Sequence, residues 1–156
     1  MRKLEKLKEY MRNNKKPFVS DVYDTGIIVT VLIGNELLFV HVSESDDPSG
    51  FFLKVFSGLR LRPGREARKE LNLLNDSLLY GKMCVVSDAG DVALIQFMDF
   101  YDYGYYQRVY DMIISAAHIF FDRNLASLCI FDDVFYGPDY IFDICFLSEP
   151  LIRRKI

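Results

Sequence analysis

The sequence predicts an α+β domain in which helices pack on an antiparallel sheet, in the order α-β-β-β-(β)-α-β-β-α plus a C-terminal tail. Three observations carry this. Apolar residues recur at helical spacing in three separated stretches. Runs rich in β-branched residues, punctuated by Gly, Asn and Asp, fill the intervals. The breaks between runs are hairpin-sized, so neighbouring strands should run antiparallel.

The first helix covers about residues 2–13. Leu4, Leu7 and Met11 fall at i, i+3 and i+7, while Lys3, Lys6, Lys8 and Arg12 lie off that stripe. Asn13, Asn14 and Pro17 stop it. A short strand, Phe18–Val22, follows, then the turn Asp24-Thr25-Gly26 and the strand Ile27–Ile33. Gly34-Asn35 is a two-residue hairpin signal leading into Leu37–Val42. The polar loop Ser43–Gly50 separates that strand from Phe51–Phe56.

Pro63 and Gly64 open a second helix, about residues 64–78, with Ala67, Leu71, Leu74 and Leu78 as its apolar stripe. Gly81 ends this region, and Lys82–Ser87 with Asp91–Met98 form a hairpin around Asp88-Ala89-Gly90. The third helix spans about residues 104–123. Its polar residues Gln107, Asp111, Ser115, His118 and Asp122 make one narrow wet stripe, so its other sides need cover from the sheet, from the tail or from a second subunit. In the tail, the apolar-aromatic runs Leu128–Tyr136 and Tyr140–Leu147 flank the turn Gly137-Pro138-Asp139 and read as strands or short irregular pieces.

A chain of 156 residues suits one domain spanning 1–156, and 51% apolar with 15% aromatic residues argues against disorder. No apolar run approaches the ~20 residues that span a bilayer. The charged N-terminus has no signal-peptide core, and Cys84, Cys129 and Cys145 form an odd set without a CxxC pair. These features point to reduced thiols and a cytoplasmic protein. Charge is segregated: residues 1–16 carry seven Lys/Arg against two Glu, whereas residues 76–149 carry three against twelve Asp/Glu. Such a division lets different ends meet partners of opposite sign, although solvated faces of unlike sign are the commoner meaning.

The stretch REARKELNLLNDSLLYGKMCVVSDAGDVALIQF, residues 65–97, resembles the YbjN-like family of bacterial sensory transduction regulators. Its carriers are the phrase Leu71-Asn72-Leu73-Leu74-Asn75, then Gly81, then the acidic-glycine turn Asp88–Asp91. The match covers roughly residues 1–125 and leaves 126–156 as an aromatic-rich C-terminal extension. The family is similar in fold to class I type III secretion chaperones, so the resemblance implies a small acidic cytoplasmic homodimer that holds an extended client segment.

Catalytic and metal chemistry finds little footing in this sequence. The two histidines, His41 and His118, have no Cys or second His at ligand spacing, so neither a metal nor a cofactor is expected. Ser115, His118 and Asp122 spell a triad in name only, because residues along one helical stripe diverge and bring no oxyanion donors to a common point. His41 reads as a half-exposed strand residue, with a pH-sensitive edge of a binding surface as the alternative. Asp132-Asp133 lacks the alternation of a calcium loop.

The expectation is therefore a non-enzymatic protein-binding module, chaperone-like or adaptor-like and homodimeric. Leu73 faces away from the Leu71/Leu74 stripe and is a candidate dimer or partner contact. Phe131, Phe135, Tyr136, Tyr140 and Phe142 either form a partner surface or cover the third helix. Asn75 is read as structural, through a left-handed conformation or a bond to local backbone, and Gly81 likewise as punctuation. The alternative is a nucleic-acid-associated regulator that uses the basic N-terminal helix and the Arg60–Lys69 segment. There Arg60, Arg62, Arg65 and Arg68 form an anion patch, but no aromatic in residues 57–75 stacks a base.

Overall fold

A computed structural model of the chain describes residues 2–21, 24–44, 50–78, 81–99, 105–126 and 130–133. Along the chain run α1 (Lys3–Asn13), β1 (Val19–Ser20), β2 (Gly26–Ile33), β3 (Glu36–Glu44), β4 (Gly50–Phe56) and β5 (Leu59–Leu61). Then come α2 (Arg65–Asp76), β6 (Lys82–Val85), β7 (Val92–Asp99), α3 (Tyr106–Ala126) and β8 (Phe131–Asp133). The expected α+β class and antiparallel sheet both hold.

Six strands form one sheet in the order β1-β2-β3-β4-β7-β6, every neighbour antiparallel. The first four make a meander. The β2–β3 hairpin turns at Gly34, whose φ of 60° supplies the positive angle a tight hairpin needs at its first central residue. Hairpins alone do not build the sheet. After β4 the chain leaves through β5 and α2, and β7 returns to lie against β4, with β6 at the far edge. Burial explains the order: β4 is covered on both faces and so takes an interior position, while β6 begins with exposed Lys82.

One face of the sheet carries the main core. Val29, Val40, Val55 and Leu94 stand in register across β2, β3, β4 and β7, as do Ile27, Val42 and Leu53 one step along. Helix α3 crosses these four strands, and α1 lies against α3 and β3. Val109, Ile113, Ala116, Ala117 and Phe120 of α3 are fully buried, the alanines allowing close approach to the strands. Gln107, Asp111, Ser115, His118 and Asp122 are all exposed, as their spacing predicts. Leu4, Leu7 and Met11 of α1 are buried on the same core, and each such side chain contributes roughly 1.5–3 kcal/mol of transfer free energy. The first turn of α1 is held from outside the helix, since Leu4 N–H donates to Glu44 Oε1 at 3.1 Å.

The opposite face holds Ile28, Phe56, Val86 and Ala93, with Phe39 stacked on Phe56 at 5.9 Å between ring centres. His41 and Lys54, register partners in β3 and β4, are buried there as well. The half-exposed strand position read for His41 is thus corrected, and so is the placing of Lys8 away from the packed side of α1. Lys8 is buried because its ammonium reaches Asp24 in the β1–β2 turn and Glu5 on its own helix.

A two-stranded ribbon, β5 with β8, was not anticipated. Leu59, Arg60 and Leu61 pair with Asp133, Asp132 and Phe131, and Arg62 N–H donates to Ile130 C=O at 2.8 Å. Of the four arginines read as an anion patch, Arg60 lies in β5, Arg62 just beyond it, and Arg65 and Arg68 on α2, while Ile130 and Phe131 belong to the main core. Phe131 is a core residue at 5% exposure, not a surface contact. Phe135, Tyr136, Tyr140 and Phe142, and the two apolar runs of the tail from residue 134 onward, lie outside the described residues. Among the described residues no helix is long and apolar enough to cross a membrane.

Candidate functional site

A sheet exposes hydrogen-bonding backbone only at its two edges, and here the edges differ. At the β6 edge, the Asn75 side chain of α2 receives Met83 N–H on Oδ1 at 2.7 Å and returns Nδ2 to Met83 C=O at 2.9 Å. At this one residue a primary amide makes the pair of bonds that a neighbouring strand would make. Asn75 is helical, so of the two structural readings of this residue the left-handed exit falls and the bond to nearby backbone stands, with Met83 as the partner. Gly81, which starts this edge, has φ 76°, and a Cβ there would sit 2.6 Å from the Ile95 carbonyl oxygen.

The other edge is covered only in part. Strand β1 pairs Val19 with Ile28 and Ser20 with Ile27, and no further. Asp21 N–H donates to Gly26 C=O at 3.0 Å, which puts the outward-facing groups on Gly26, Ile28, Thr30 and Leu32 by alternation. Beyond the end of β1, Thr30 and Leu32 face no strand among the described residues. Both side chains are exposed, Leu32 to 68%. Its cross-strand partner Leu37 is 48% exposed, and Val19 on the same side of the sheet 57%. An unpaired strand edge bearing exposed leucines is a template for another strand.

The partial cover is anchored firmly. Asp21 is buried and accepts three hydrogen bonds: Thr25 N–H at 2.8 Å, Thr25 Oγ1 at 3.1 Å and His41 Nε2 at 3.0 Å. Burial by itself would raise this carboxyl, but the bonds from His41 and Thr25 outweigh it and hold the pKa below the ordinary Asp value. Gly26 makes room for the pair, since a Cβ there would lie 2.6 Å from His41 Nε2. The Asp21–His41 pair, with both side chains buried, locks the β1–β2 turn to β3.

A second feature is a cleft of about 730 Å³ between α2 and β6, lined by Leu71, Asn72 and Met83 and by charges of both signs such as Arg68, Asp76 and Lys82. The four arginines singled out earlier fall into two settings. Arg60 pairs with buried Asp91 at 3.1 Å and Arg62 with Asp132 at 2.9 Å, whereas Arg65 and Arg68 are exposed on α2. Leu73 is 54% exposed on the same helix. Among the described residues no group of three or more His, Cys, Asp or Glu converges as a metal site. Sequence reasoning missed the β2 edge, although two signals bore on it: the shortness of the apolar run after Pro17, and leucines on both sides of the Gly34-Asn35 turn.

Comparison with protein-family models, with curated proteins and with solved structures returns no match.

Proposed function

We propose that this chain is a cytoplasmic, non-enzymatic protein-binding module that receives an extended segment of a partner as an added strand on β2. The observation that carries this reading is the backbone of Thr30 and Leu32, without a strand partner among the described residues, beside the exposed pair Leu32 and Leu37. The ladder supplies affinity, and alternate side chains of the segment, packed alongside Leu32, supply selectivity. At the far edge Asn75 occupies Met83, in the middle of β6, which favours β2 as the side for addition. The resemblance of residues 65–97 to the YbjN-like family, and through it to secretion chaperones that hold clients as homodimers, points the same way. Engagement of Arg60 and Arg62 by carboxylates weakens the nucleic-acid alternative.

Thr30→Pro is the test. Its N–H points away from β3, so proline there removes a donor from the open edge without breaking the β2–β3 ladder. Tagged wild-type and variant chains would be used for affinity capture from the cell's own lysate, with nuclease and at two salt concentrations. A protein held by wild type and lost from Thr30→Pro supports strand addition. Identical captured sets, or nuclease-sensitive material washed off by moderate salt, would overturn it.

A further inference from the structure

The edge has a chemical neighbour. Helix α1 ends at Asn13, and residues 12–18 carry Arg12, Lys15 and Lys16 with no acidic residue among them before the chain enters β1 at Val19. The Arg12 guanidinium lies 5.3 Å over the Phe18 ring, and Lys16 Nζ lies 4.8 Å from the centre of the Tyr110 ring. None of the three cations meets a carboxylate among the described residues, while Lys8, Arg60 and Arg62 all do. Favourable contact with the negative end of the α1 dipole accounts for a basic residue there, but not for three cations leading into a strand edge.

Every strand pair in this sheet is antiparallel, and antiparallel ladders are slightly the more stable per residue, which favours antiparallel arrival on β2. Residue numbers rise along β1 as they fall along β2. With Val19 opposite Ile28, Phe18 falls beside Val29, so a strand arriving antiparallel to β2 starts opposite Ile33 and ends opposite Thr30, where it meets Phe18 and the basic loop. We infer that the segment received by the β2 edge is acidic at its C-terminal end, runs antiparallel to β2, and places its carboxylates against Arg12, Lys15 and Lys16. This rests on the strand-addition reading and goes beyond it by assigning the partner's charge and polarity.

The probes are two fluorescein-labelled, C-terminally amidated peptides of the same composition. Each has a core of alternating valine and threonine with three glutamates, placed C-terminal in one and N-terminal in the other. Fluorescence polarisation should show the C-terminal-glutamate peptide binding about tenfold tighter, in line with a few exposed ion pairs. That advantage should shrink with added salt and vanish in the triple variant Arg12→Gln, Lys15→Gln, Lys16→Gln. Thr30→Pro, and backbone N-methylation of the peptide core, should abolish both complexes; the second control does not depend on how a protein variant folds. Equal affinity for the two peptides, with both controls effective, overturns the charge assignment and leaves the edge reading standing. Binding indifferent to both controls overturns the edge reading as well. A single-stranded oligonucleotide bound more tightly than either peptide through the same three cations overturns the assignment in favour of a nucleic-acid ligand.

Discussion

Asn75 and Met83, eight residues apart, are joined by two hydrogen bonds, the pair that a neighbouring strand would make at Met83. The pairing covers the edge at Met83 and also ties α2 to β6, on which it packs.

Replacing Asn75 with Ala leaves Met83 N–H and C=O without their partner, which should cost about 1–3 kcal/mol. Asn75→Asp keeps an acceptor but sets a carboxylate against a carbonyl, and should cost nearly as much. Urea unfolding measures both; a midpoint unchanged in Asn75→Ala would show the pairing to be energetically idle.

The lowered pKa of Asp21 makes stability depend on acid. A carboxyl whose folded pKa lies below its unfolded value of roughly 3.9 stabilises the fold above that value and loses its contribution as pH falls through the folded pKa. Wild type should therefore lose stability below about pH 4, faster than Asp21→Asn, which should in turn be weaker by about 1–3 kcal/mol at pH 7. Parallel stability curves for the two proteins from pH 7 to pH 2 would refute this role.

Gly81→Ala should strain the entry to β6, because φ is positive and the added Cβ meets the Ile95 carbonyl. A cost of about 2 kcal/mol lowers the thermal midpoint of a chain this size by roughly 4–8 °C. A melt within 1 °C or so of wild type, followed by circular dichroism, would mean that the backbone relaxes at no cost.

Leu73 is exposed on α2, so Leu73→Glu should leave the unfolding midpoint within about 0.5 kcal/mol of wild type. If the side chain lies in a homodimer contact, the mass by light scattering should fall to that of a monomer. Unchanged mass would place the contact elsewhere.

Local pattern was enough to locate all three helices and most strands, because each buries one face and its apolar spacing has to match its own period. Leu4, Leu7 and Met11 announced the buried side of α1, and Gly34 the β2–β3 turn. Lys8 defeated the same logic: its long stem buries along α1 only because Asp24, sixteen residues away, waits at the end of it. Three-residue β5 escaped notice because Leu59-Arg60-Leu61 is too short for alternation to stand out, and its partner lies some 70 residues further on.

The candidate site was less legible still. An edge is defined by what fails to pair, and no local pattern records that β1 begins only opposite Ile28. His41 shows the same limit from the buried side, since its place between two valines is compatible with exposure until Asp21 arrives from another strand.

By itself, then, the sequence determined the class of fold, the helix faces and the turns, all of which depend on residues within a few positions of one another. Tertiary structure alone decided the strand order, the pairing of Asn75 with Met83 at one edge, the burial of Asp21 with His41, and the stretch beside Thr30 and Leu32 that has no strand partner among the described residues. Those depend on which distant groups meet, and pairing at long range is set by the packing of the whole chain.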